Sequence, residues 1–211
     1  MIDFPFAVKV FAALFAIMNP IANIPVFLSL TGGVSDTSRR KIAITVAIGV
    51  TIGCIVSAVA GGAILHVFGL TVNDFRLAGG LLVLLIALSM LHGSPSTQQA
   101  PTQTEDAALA QAESVAIYPL TIPLLVGPGT IATLIVLGQT AFHSGREAAL
   151  ALGMLAFLAV LAVALLSAPF IGHYLSPRLV AITQRLMGMI LAAIAMEMMV
   201  TSLQAFFPGL T

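Results

Sequence analysis

The chain of 211 residues has no tryptophan, two tyrosines and one cysteine. Only 8% of its residues are charged, with eight basic and eight acidic side chains. An ordinary soluble domain carries about 25%. Hydrophobic residues make up 59%, and the mean hydropathy is +1.11. So little polar surface cannot cover so much apolar surface in water. That excludes most soluble enzymes, DNA-binding modules and disordered chains. Net charge is zero and no basic tract exists, so no nucleic-acid partner is expected. Cys54 alone cannot form an intrachain disulfide, which leaves the redox compartment unread. Without tryptophan, an aromatic belt must rest mainly on phenylalanine.

What remains is apolar and long. Roughly 20 apolar residues cross a bilayer as a helix. Six charge-poor runs answer that description, at about Phe6–Leu30, Ile42–Phe68, Leu77–Leu91, Val115–Leu137, Ala148–Ile171 and Leu186–Phe206. The expected fold is an all-α membrane protein in a lipid bilayer. Ser94–Glu113 is the longest polar stretch and reads as a flexible linker. It divides a first unit, 1–93, from a second, 114–211. Asp3 and the length of the first run argue for a retained span, not a signal peptide. Five cationic side chains, Arg39, Arg40, Lys41, Arg178 and Arg185, fall in loops on one side; Lys9, Arg76 and Arg146 fall on the other. Cations favour the cytoplasmic side, so both termini are expected to be periplasmic.

The two units share a pattern. Asn19-Pro20-Ile21-Ala22-Asn23-Ile24-Pro25 parallels Tyr118-Pro119-Leu120-Thr121-Ile122-Pro123. Arg76-Leu77-Ala78-Gly79 parallels Arg185-Leu186-Met187-Gly188. Three spans is an odd number, so a second copy must lie upside down. The expectation is a 3+3 inverted repeat with spans 1 and 4 broken. Such interrupted helices in matching places point to a transporter site.

Proline has no N–H and leaves the carbonyl four residues earlier without its helical donor. Pro20, Pro25, Pro119, Pro123 and Pro128 all act in this way. In hydrocarbon such groups are costly unless protein or a water-filled cavity surrounds them. Gly127 and Gly129 around Pro128 permit an unwound turn and a fresh helix start, whose free N–H groups attract an anion. Asn19, Asn23, Thr121 and Thr130 add side-chain polarity at similar depth. A zwitterion suits this chemistry: its carboxylate meets the N–H groups and its ammonium meets freed carbonyls and an Asn oxygen. One proline usually only kinks a helix, but five prolines over two matching spans favour a site.

Glu197 is the acid that lies well inside a span, and it could carry a coupling proton or serve as a structural polar group. Arg76 and Arg185, at repeat-related span starts, are expected to snorkel to the headgroups. Gly49, Gly53, Ser57 and Gly61 form a small-residue stripe that packs within the chain or in a homo-oligomer. The methionines of span 6 read as core packing. His66, His92, His143 and His173 are not spaced as ligands of one metal. No cofactor is implied, and no nucleophile–base pair suggests an enzyme.

Asn19-Pro-Ile-Ala-Asn-Ile-Pro-Val-Phe-Leu28, Pro123-Leu-Leu-Val-Gly-Pro-Gly-Thr-Ile131 and Arg185-Leu-Met-Gly-Met-Ile-Leu-Ala-Ala-Ile194 together resemble the MarC family of inner-membrane proteins. The resemblance spans essentially the whole chain. It implies the 3+3 inverted architecture and a relation to Snat-type transporters of neutral amino acids such as glycine and alanine. It lends site status to Asn19, Pro20, Asn23, Pro25, Pro123, Gly127, Pro128 and Gly129. At Glu197 the chain departs from the family, where an amide is frequent. The function expected is therefore secondary transport of a small neutral amino acid, coupled to H⁺ or Na⁺. Export of another metabolite or drug, or a non-transporting partner role, is the alternative.

Overall fold

The computed structural model describes residues 2–32, 34–92, 116–172 and 174–207. The linker 94–113 and His173 lie outside the described residues, as do the side chains of Pro119 and Pro123. Among the described residues all regular structure is helical. In chain order the helices are α1 (Phe4–Met18), α2 (Pro20–Leu30), α3 (Asp36–Val67) and α4 (Val72–His92). A π-helical segment, Ala116–Leu125, follows. Then come α5 (Pro128–Ser144), α6 (Glu147–Leu166), α7 (Ala168–Gly172) and α8 (Pro177–Phe206).

Five stretches are long and apolar enough to cross a membrane: Phe4–Leu30, α3, α4, α6 and α8. The fourth expected span is the exception because it is broken. Its parts, the 10-residue π-helical segment and the 17-residue α5, are each too short alone.

Local chemistry sets the helix ends. Asp3 accepts from the Phe6 N–H at 3.0 Å and opens α1. Ser35 accepts from Ser38 N, and Ser176 from Leu179 N, to open α3 and α8. Thr71 and Asp74 cap each other's backbone N–H and start α4. The α5–α6 turn needs Gly145, whose φ of 64° disfavours a side chain.

Helix directions follow from side-chain neighbours. α1 runs parallel to α6, with Ala7 and Val10 on Gly153 and Phe11 edge-on to Phe157. α3 runs parallel to the fourth span, with Gly49, Gly53 and Gly61 against Thr121, Val126 and Ile135. α4 and α8 run antiparallel: Ser202 Oγ donates to the Asn73 carbonyl, and Gly188 lies against Met90. α4 and α5 are also antiparallel, with Gly79 on Ala132 and Gly129 near Val83. α1 opposes α5, since Ile17 lies at Gly129, where α5 begins. Spans 1 to 3 therefore run up, down, up, and spans 4 to 6 run down, up, down. The most extensive contact joins the third span of each set, α4 and α8.

The small-residue stripe of α3 is spent inside the chain. A Cβ on Gly61 would fall 2.3 Å from Ile135 Cγ1, and one on Gly53 2.9 Å from Val126 Cγ1. Gly138 answers from α5, where a Cβ would fall 2.3 Å from the Ala58 carbonyl oxygen. Outward faces carry the apolar surplus, such as Ile48, Ile52 and Val59 on α3 and Leu155 and Val163 on α6. The methionines of α8 divide: Met198 is buried, while Met189 and Met196 are exposed with these lipid-facing residues.

Candidate functional site

The first span breaks at Asn19. Its φ of 35° and ψ of 75° lie in the left-handed region, which asparagine tolerates better than most residues. The residue serves both half-helices. Its N–H donates to the Phe15 carbonyl at 2.9 Å and closes α1. Its Oδ1 accepts from Ala22 N at 3.3 Å and opens α2, with Pro20 at the first helical position. Asn23 completes the joint by donating from Nδ2 to the Met18 carbonyl at 2.5 Å and to the Asn19 carbonyl at 3.3 Å.

These bonds fix both amides. Two carbonyls demand the NH₂ group of Asn23, so its Oδ1 points away. The Ala22 donor demands Oδ1 of Asn19, so its Nδ2 points away. Asn19 Nδ2 and Asn23 Oδ1 have no partner, although both residues are buried. An unpaired buried amide group costs about 1–3 kcal/mol. The break thus holds one free donor and one free acceptor.

The fourth span breaks at Val126 and Gly127. Val126 N donates five residues back to the Thr121 carbonyl, which closes the π-helical segment. Thr130 Oγ1 donates to the Leu125 carbonyl at 2.9 Å. Gly127 offers no side-chain cap, so the amides that open α5 are not capped by it. Gly129 is buried, and a Cβ there would fall 2.7 Å from Ile86 Cδ1 and 2.9 Å from Ile17 Cδ1. Ile17 lies two residues before Asn19, so the breaks of spans 1 and 4 are neighbours.

The residues expected to form the site are thus partly assembled. Asn19, Asn23, Gly127, Gly129 and Thr130 are buried around the two breaks. Thr121 is buried too, against Gly49 of α3. Pro20 is buried; Pro128 is exposed at the first position of α5, and Pro25 is exposed inside α2, which runs on through it and is not broken there. Ile17, Ile86 and Val83 close over the start of α5.

The open space lies one turn away, where sequence reasoning did not look. A cavity of about 150 Å³ sits among α1, α4, α5 and α8, bordered by Lys9, Ala13, Arg76, Thr133, Thr140 and Glu197. It lies toward the face where α1 begins and α8 ends. Thr133 stands four residues past Gly129, roughly 6 Å along α5. Its Oγ1 is buried and without a partner. Glu197 is not sunk in the apolar core: it is half exposed at this cavity, and Lys9 donates to its Oε1 at 2.6 Å. Arg76 turns back toward the start of α4. It is half-buried and donates to Asn73 Oδ1 at 3.3 Å and Thr140 Oγ1 at 3.4 Å. Arg185 is exposed. A second, wider hollow of about 370 Å³ begins at Arg76 and Thr140 and continues to Asn73, Gln139 and His143. The sequence did hold a signal for this site: Lys9, Arg76 and Glu197 are charges on spanning helices, and such charges face the protein interior.

Comparison with known proteins now bears on this architecture. Residues 4–207 match the MarC family integral membrane proteins. The chain belongs to the MarC family. It is 37% identical over 99% of its length to the UPF0056 membrane protein YhcE of Escherichia coli, covering 96% of that protein. It is 36% identical to YvbG of Bacillus subtilis, with 99% of each chain covered. The archaeal MJ1677 of Methanocaldococcus jannaschii is 32% identical, over 96% of this chain and 98% of the relative. No solved structure matches. Membership makes the chain an integral membrane protein.

Proposed function

We propose that this MarC protein is a secondary transporter of small neutral amino acids in the bacterial inner membrane. The zwitterion binds where spans 1 and 4 break. One observation carries the reading: buried Asn19 Nδ2 and Asn23 Oδ1 stand unpaired at a break whose Ile17 packs on Gly129, in the first turn of an α5 that Gly127 cannot cap with a side chain. A carboxylate takes the Asn19 donor and the first amides of α5. An ammonium takes the Asn23 acceptor. Neither needs a fixed charge at the break.

The opposed helix directions of the two sets support an inverted repeat of 1–93 and 114–211, in which one unit rocks against the other. In the closed arrangement Ile17 and Ile86 shield the break, while the cavity at Thr133 opens toward one face. Both termini are assigned to the periplasm. Coupling is to H⁺ or Na⁺, and Glu197, on the cavity wall, is the group assigned to it.

The test is uptake of labelled glycine and alanine into proteoliposomes under imposed H⁺ and Na⁺ gradients. Gradient-driven accumulation is expected, with loss in Asn19→Ala and Gly129→Leu variants that stay folded and inserted. Full transport by both variants would sink the site.

A further inference from the structure

The cavity among α1, α4, α5 and α8 carries more charge than it balances. Lys9 and Glu197 neutralise each other at 2.6 Å. Arg76 is left over. Among the described residues no acid lies within 4.0 Å of it, and its two side-chain bonds, at 3.3 and 3.4 Å, are longer than ordinary ones. A guanidinium has five N–H donors in a fork that matches a carboxylate. Most of those donors are unused at a half-buried position between two hollows. Keeping an unpaired charge on a spanning helix marks a functional position.

We infer that this cavity is a separate receiving station, in which Arg76 binds the carboxylate of a small amino acid and Glu197 its ammonium. The inference extends the transport reading: the station lies about one helical turn from the breaks, on the route to them. Glu197 has Oε2 to offer, since Lys9 uses Oε1. Thr133 Oγ1, buried and unpartnered, lies on the inward side, toward the break. The remaining walls include Val136, Leu137, Ile194 and Met198, which exclude further polar groups from the ligand. A volume of about 150 Å³ admits only a compact side chain. Sites for drug-sized ligands run to ~300–1,000 Å³.

The chain offers a direct probe. Its single cysteine, Cys54, is fully buried, so a cysteine placed at the cavity is the reactive one. Thr201 lines the cavity, and Thr201→Cys leaves Arg76 and Glu197 intact. Labelling of purified T201C by a charged thiol reagent is followed with glycine, alanine, acetate, methylamine or inorganic phosphate present. Glycine and alanine should slow it, acetate less, and methylamine not at all. Adding Arg76→Gln should raise the half-protecting glycine concentration about tenfold or more, while Arg76→Lys retains part of the effect. Glu197→Gln should weaken glycine and leave acetate unchanged. No protection by glycine in T201C itself, equal protection with Arg76→Gln, or better protection by phosphate than by glycine would overturn the station. Protection without transport in any gradient leaves the station standing and removes the transport reading; transport without protection does the reverse.

Discussion

Asn23 donates its Nδ2 hydrogen to the carbonyl of Met18, 2.5 Å away, across the break that Asn19 makes in the first span. The bond ties the first turn of α2 to the last carbonyl of α1. It repairs what the break would otherwise expose, and it leaves Oδ1 of the same amide buried without a partner. Packing and site chemistry therefore rest on the same side chain. Asn23→Ala should strip the Met18 carbonyl of its donor and cost about 1–3 kcal/mol. Asn23→Asp should cost more, because a carboxylate would then face two carbonyl oxygens. Thermal unfolding in detergent reads both. An Asp variant as stable as the parent would show that the bond does not hold the joint.

Glycines on the α3–α5 seam should rank by what they touch. A Cβ on Gly138 would fall 2.3 Å from a backbone oxygen, which cannot turn aside. One on Gly61 would fall 2.3 Å from Ile135 Cγ1, which a smaller residue would clear. Gly138→Ala is expected to destabilise by about 1–3 kcal/mol through overpacking. Gly61→Ala should also destabilise, and Ile135→Ala should recover part of that loss while leaving Gly138→Ala unrelieved. Melting temperatures of the single and double variants decide the matter.

The sequence revealed most of the frame because it is written in local terms. Apolar run lengths set the spans. Pro20 and Gly127-Pro128-Gly129 marked where helices break, whereas α2 continues through Pro25. Asn19 was legible as a polar residue beside a proline, although its left-handed backbone was not. The cavity was hidden for a physical reason. Lys9 and Glu197 are 188 positions apart, and Arg76 and Thr140 are 64 apart. No periodicity within one helix brings them together; only the packing of α1 with α8 and of α4 with α5 does. Charge counting by loop sorted Lys9 and Arg76 only by membrane side and so missed the cavity that they border.

The Lys9–Glu197 pair should matter little to folding. Both side chains are about half exposed, at 46% and 57%. Ion pairs in such settings contribute about 0–1 kcal/mol. A double-mutant cycle with Lys9→Met and Glu197→Gln, read by unfolding, should give a coupling within that range. A coupling of several kcal/mol would mean that the pair is a structural clasp, and its role in ligand binding would have to be dropped.

Asn19 allows backbone and side-chain contributions to be separated. Asn19→Gly keeps a residue that adopts φ of 35° freely, but it removes Oδ1 from Ala22 N and Nδ2 from the site. Asn19→Ala removes the same atoms and adds the cost of a left-handed backbone, about 1–2 kcal/mol. Glycine should therefore be the more stable variant by roughly that margin. If Nδ2 holds the substrate, the two should lose transport equally despite their different stabilities. Wild-type transport by Asn19→Gly would mean that the left-handed joint alone is required, and that the free amide donor is not a ligand.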